Sequence, residues 1–226
     1  MSSRTRLGLA LLASSLASIG LYVAGVFTND TWDFAYLIWN LLLAWIPLGL
    51  MLWLLRTLRF RIWSNWLPLV ITVLWLGFLP NSFYMITDFI HLQEEVRADL
   101  LFDVVMFSSF VLNGLLLGYI SLHLMHQELL KRLSMTVGAA IVGAILLGCS
   151  FAIYVGRYLR WNTWDVVLNP TSLLFDVSDR VLHPLDHPQV VSTTISFFVL
   201  LTSIYGVVWY LVRHTSRQQK ASATRT

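Results

Sequence analysis

Cysteine is almost missing from this 226-residue chain: Cys149 stands alone, inside an apolar run. No intramolecular disulfide can form, so thiol usage says nothing about compartment, and Cys149 reads as a small buried hydrophobe. Charge is scarce too. Charged residues make up 12% of the chain, against about 25% in an average soluble domain. There is no HExxH, no paired CxxC, no internal repeat, no low-complexity tract and no soluble second domain. A metal site announced by ligand spacing is thereby excluded.

What the chain has in excess is apolar sequence, 57% of its residues. Long uncharged runs account for this better than one large core does, because the hydrocarbon slab of a bilayer requires about 20 apolar residues per spanning helix. Six runs qualify: residues 7–27, 34–55, 66–87, 101–122, 136–154 and 190–212. The expected fold is an all-α integral membrane protein, a bundle of about six transmembrane helices forming one polytopic membrane domain over residues 1–212. The first run exceeds the 7–15 apolar residues of a signal-peptide core and is read as a retained helix, with cleavage after Ala17 as the alternative. The basic tail 213–226 is read as disordered.

The net charge of +3 resembles a nucleic-acid signal only until the cations are placed. They lie between the apolar runs, where they set orientation. Arg4 and Arg6 precede the first span; Arg56, Arg59 and Arg61 follow the second; Lys131 and Arg132 follow the fourth; Arg213, Arg217, Lys220 and Arg225 close the chain. These eleven share one side, and only Arg97, Arg157, Arg160 and Arg180 fall on the other. The richer side is cytoplasmic by the positive-inside rule, so both termini are expected there. Trp32, Trp39, Trp161 and Trp164 fall near the outer boundary, and Trp53, Trp63, Trp66 and Trp209 near the inner one, as amphipathic rings prefer.

Gly114 and Gly118 form a GxxxG pair, and Ala140, Ala144 and Gly148 a small-residue stripe; both read as helix-packing surfaces. Asn40 and Asn113 read as interhelical hydrogen-bond partners, and His123 and His126, beside Lys131 and Arg132, as a solvated or headgroup-facing surface. Residues 172–182 put Leu173, Leu174, Val177, Val181 and Leu182 on one side and Asp176, Asp179 and Arg180 on the other, a short amphipathic helix on the outer surface before the last span.

Charges near hydrocarbon are expensive, so their placement points to function. Here they collect on the outer side. Pro80 is expected to break the third span and free backbone carbonyls; if helix resumes beyond it, Asp88, His91 and Glu95 share a face near the surface. Asp103 opens the fourth span nearby, and Arg157 and Arg160 precede Trp161, Asn162, Thr163, Trp164 and Asp165. One reading is an outward-facing polar pocket. Asp88, His91 and Asp103 would do catalysis, hold a divalent cation or relay a proton, while Asn81, Arg157, Arg160, Trp161, Asn162, Trp164 and Asp165 bind an anionic, lipid-like ligand. His183 and His187 are solvated loop residues or additional ligands. The other reading is a lock, in which the two aspartates pair with the two arginines.

The segments Leu79-Pro80-Asn81-Ser82-Phe83-Tyr84-Met85-Ile86-Thr87-Asp88-Phe89-Ile90-His91-Leu92 and Gly156-Arg157-Tyr158-Leu159-Arg160-Trp161-Asn162-Thr163-Trp164-Asp165 resemble a bacterial membrane family catalogued as domain of unknown function 1361. The resemblance runs from about the second span to the sixth. It departs from the family pattern at Ser82-Phe83, where an Ala-Pro pair is common, and at Thr163, where Ser is common. It implies a multi-spanning protein of the bacterial cytoplasmic membrane and supplies no reaction. Three roles remain: an enzyme or binding protein for an envelope lipid or lipid-linked substrate at the outer leaflet, a small transporter or channel, and a non-catalytic scaffold.

Overall fold

A computed structural model describes residues 3–29, 32–93, 100–161, 164–183 and 186–223. Among them every regular element is helical: α1 (Ser3–Asn29), α2 (Tyr36–Thr57), α3 (Trp66–Tyr84), a 3₁₀ segment (Met85–Gln93), α4 (Leu100–Leu129), α5 (Met135–Tyr158), α6 (Asp165–Leu168), α7 (Pro170–Leu182) and α8 (Pro188–Ala223). Six are long and apolar enough to cross a membrane, namely α1, α2, α3 with its 3₁₀ extension, α4, α5 and α8. The chain is an all-α, multi-pass membrane protein. It divides within α4 into two compact units, Met1–Ser121 and Leu122–Thr226.

Because lipid tails are as apolar as leucine, burying leucine between membrane helices gains little; close approach and hydrogen bonds must hold the helices together. The first unit relies on both. In α2 the buried residues Leu37, Leu41, Ala44, Leu48, Met51 and Leu54 recur at helical spacing, as do Pro68, Ile71, Trp75, Leu79 and Ser82 in α3. Pro47, inside α2, interrupts its backbone ladder. Neighbouring hydroxyls satisfy the carbonyls around it: Ser82 donates to Ala44 O (3.1 Å) and Ser121 to Pro47 O (3.1 Å), while Trp75 Nε1 donates to Ser121 (2.7 Å). Helix α1 is attached through a serine stripe. Trp45 Nε1 donates to Ser15 (3.2 Å), and Asn113 Nδ2 donates to Ser18 Oγ (2.8 Å) and Ser14 O (3.3 Å). Asn40 and Asn113 are interhelical partners, as expected.

Gly114 and Gly118 are where α4 meets α3. A Cβ on Gly114 would stand 2.8 Å from Ser82 O and 2.6 Å from Met85 Sδ; one on Gly118 would stand 2.8 Å from Ser82 Cβ. The second small-residue stripe does not behave this way. Ala140, Ala144 and Gly148 are exposed, and a Cβ on Gly148 would have nothing within 4 Å, so that face packs against no described part of the chain.

In the second unit Ser134 caps α5, its Oγ accepting from Val137 N (3.4 Å). Helix α5 buries Val142, Leu146, Cys149 and Ile153, and α8 packs alongside it. Cys149 is a buried free thiol. The expected amphipathic helix is α7, which has no fully buried residue. Two expectations need correction. Helix α3 runs unbroken through Pro80 and changes only at Met85. Beyond Val212, α8 stays helical to Ala223, since Gln218, Gln219, Lys220 and Ala221 are good helix formers and no Gly or Pro intervenes.

Candidate functional site

The 3₁₀ segment begins where Thr87 Oγ1 turns back to donate to Tyr84 O (2.7 Å), the side-chain-to-backbone bond that competes with a continuing α-helix. Runs of 3₁₀ helix longer than three or four residues are uncommon; this one has nine. Its three-residue turn aligns Met85, Asp88 and His91 in one row. Met85 is buried against Gly114, Asp88 is 1% exposed and His91 is half-buried, whereas Ile90 on another row is exposed. Asp88 therefore lies inside the protein, because the chain tightens after Tyr84 and turns this row inward. Glu95 lies outside the described residues.

Helix α2 supplies the facing side. Asn40 Nδ2 donates to Asp88 Oδ2 at 3.0 Å, and one turn earlier the Tyr36 ring lies 5.1 Å from the His91 ring. These are two rungs between antiparallel segments, 40 with 88 and 36 with 91. Asp103, in the first turn of α4, is 3% exposed. One turn after it, Phe107 stacks with Phe89 (6.5 Å between centroids) and meets Phe34 edge-on (4.8 Å). Both carboxylates thus sit on elements joined by an aromatic cluster, and Asn40 orients one of them. Asn81, expected to bind ligand, donates from Nδ2 to Phe78 O within α3 (3.0 Å). Sequence reasoning treated Asn40 only as helix glue and passed over Tyr36. Their i, i+4 spacing at the end of a span was the available signal.

The remaining predicted residues belong to the second unit. Arg157 is half-buried in the last turn of α5, and Arg160 is exposed in a left-handed conformation, φ 58°. Trp161 Nε1 donates to Asp176 Oδ2 (2.9 Å), tying the segment after α5 to α7. Trp164 is exposed, and Asp165 opens α6 half-buried. Asn162 lies outside the described residues. On α7, Arg180 pairs with Asp179 (3.1 Å), which also meets His187 Nε2 (3.0 Å); His183 is exposed. Among the described residues no three His, Cys, Asp or Glu side chains converge as a metal would require.

At the other end of the second unit a sequence expectation fails. Helix α4 does not end near Leu122 but continues to Leu129, so His126 is carried into the interior and is 2% exposed. Its ring stacks on Trp209 (4.0 Å, 22°), and Nδ1 lies 2.8 Å from Tyr205 Oη. Glu128 is also buried, its carboxylate held by Lys131 and by Arg132 Nη1 (2.7 Å). This is a structured polar cluster, not a solvated face. Tyr205 and Trp209, one turn apart on α8, were the sequence signal for it.

A family model described as protein of unknown function (DUF1361) matches residues 39–204, and the chain belongs to that family. No curated protein and no solved structure matched it.

Proposed function

With membership of that family as the premise, we propose that the protein is a membrane-embedded enzyme acting on an envelope lipid or lipid-linked anionic substrate. The reaction site is the Asp88 region, at the outer leaflet of a bacterial cytoplasmic membrane, with both chain termini in the cytoplasm. The supporting observation is Asp88 itself: a carboxylate 1% exposed, at the end of a spanning helix, oriented by Asn40. A buried ionisable group at the end of a spanning helix is costly and points to function. Proton transfer demands fixed geometry before it demands a tuned pKa, and the Asn40 donor fixes how Asp88 presents its oxygens. Asp88 is the acid or base, His91 its partner one 3₁₀ turn away, and Asp103 the second carboxylate.

A purely structural lock is the rival reading, and the Asn40–Asp88 bond would serve it as well. A transporter has less in its favour, since α3 is continuous through Pro80 and serine hydroxyls hold the backbone around Pro47. The test compares lipid extracts, by mass spectrometry, from cells producing wild-type, Asp88→Asn or His91→Ala protein at equal membrane levels. The proposal expects a lipid-linked species whose abundance follows the wild type and reverts in both variants. Identical extracts from all three would remove these residues from any chemistry. Arg157→Ala in the same assay tests whether the basic segment acts with them.

A further inference from the structure

A cavity of about 230 Å³ opens within the second unit where the end of α4 and the start of α5 meet α8. Leu130, Met135, Val212 and Trp209 make most of its wall, and His123 and Arg213 supply polarity. The charge balance here is one-sided. The acid of this end, Glu128, is already engaged by Lys131 and Arg132, and the contact found for Arg213 is the weak one from Nη1 to Met135 Sδ at 4.0 Å. His123 has its Nε2 beside Gln127 (2.7 Å), while its buried Nδ1 has no hydrogen-bond partner among the described residues. Among the described residues Arg213 has no carboxylate partner, and it shares one small, largely apolar cavity with the His123 ring, between the end of α4 and the start of α5.

We infer that this cavity binds the headgroup of an anionic phospholipid, the phosphodiester meeting Arg213 and His123. Basic pockets between spanning helices take such headgroups, and guanidinium is well matched to phosphate oxygens. Pockets that enclose a whole drug-sized molecule measure roughly 300–1,000 Å³. This smaller volume suits a headgroup whose acyl chains lie outside the cavity. The apolar wall favours a lipid over a free anion, which would gain nothing from Leu130, Val212 and Trp209. The site is independent of the Asp88 proposal and lies on the side that the cation count assigns to the cytoplasm.

Native mass spectrometry of the full-length protein, released from detergent and titrated with phosphatidylglycerol or phosphatidylcholine, tests it. Phosphatidylglycerol should bind with at least one site of clear preference. Arg213→Gln should weaken that site about tenfold, the loss of one charge-assisted hydrogen bond, while Arg213→Lys keeps most of it and Arg59→Gln, at an exposed loop cation, leaves it unchanged. His123→Phe, which keeps a ring and removes the nitrogens, should weaken it as well. Equal binding of the two lipids overturns the inference, as does an equal effect of Arg213→Gln and Arg59→Gln. Displacement of the lipid by millimolar inorganic phosphate would also overturn it, by showing a free-anion site. Arg213 is exposed, so its variants should fold normally.

Discussion

Replacing Gly114 with alanine should destabilise the protein by about 1–2 kcal/mol, whereas the same change at Gly148 should be neutral or stabilising. At Gly114 the new methyl would lie 2.8 Å from the Ser82 carbonyl oxygen and 2.6 Å from Met85 Sδ. The sulfur ends a flexible side chain and can move, but the carbonyl is backbone of α3 and can yield only if the helices separate. Forcing a methyl group into a filled contact costs about 1–3 kcal/mol, and the better helix propensity of alanine returns up to about 1 kcal/mol. At Gly148 nothing lies within 4 Å, so only the favourable part remains. The expected gap between the variants is therefore about 1–3 kcal/mol, readable by circular dichroism during titration of the detergent-solubilised protein with sodium dodecyl sulfate. Adding Met85→Ala to Gly114→Ala removes the nearer clash and should recover part of the loss. The shift also reaches the site, because Met85 begins the row that carries Asp88. If Gly114→Ala and Gly148→Ala unfold together, the close approach of α4 to α3 is wrong.

Three further variants probe other contacts. Ser121→Ala leaves Trp75 Nε1 without its acceptor and removes the hydroxyl that donates to the Pro47 carbonyl, and should cost about 1–3 kcal/mol; in the same titration Ser203→Ala, at an exposed hydroxyl, should stay within about 0.5 kcal/mol of wild type. Arg160→Gly should stabilise by about 1 kcal/mol by relieving its left-handed backbone, and a thermal midpoint that instead falls would refute the strain assignment. His126→Ala should lower the thermal midpoint well beyond His214→Ala, because His126 is buried, stacked on Trp209 and bonded to Tyr205, whereas His214 is exposed; equal shifts would return His126 to the surface.

How far these features were legible follows from what a bilayer demands. The six spans were legible because hydrocarbon imposes a length and forbids charge, and each apolar run has its helix, with ends differing by a few residues or, at α4 and α8, by more. Which face of a span meets another helix was not legible in the same way. Helices α2 and α3 are apolar all round, and exposed Leu42 and Val73 are no more polar than buried Leu41 and Ile71. Only the sparse small and polar residues carry the facing information. Asn40, Asn113 and the Gly114–Gly118 pair were read for it correctly. The serines were not, yet Ser15, Ser18, Ser82 and Ser121 join α1, α2, α3 and α4 in the first unit. The same gap explains the site. The acidity of Asp88 and its place near the end of a span were visible, but its burial depends on a 3₁₀ turn that rotates residues 85, 88 and 91 onto a row with α2. A 3.6-residue wheel drawn over 88, 91 and 95 predicts a different neighbour. His126 was misassigned for a related reason: a span cut off at Leu122 leaves it in a loop, and two further turns of α4 set it on Trp209. In a membrane chain the polar residues near a span's ends are therefore most informative once the helix's true end and pitch are known.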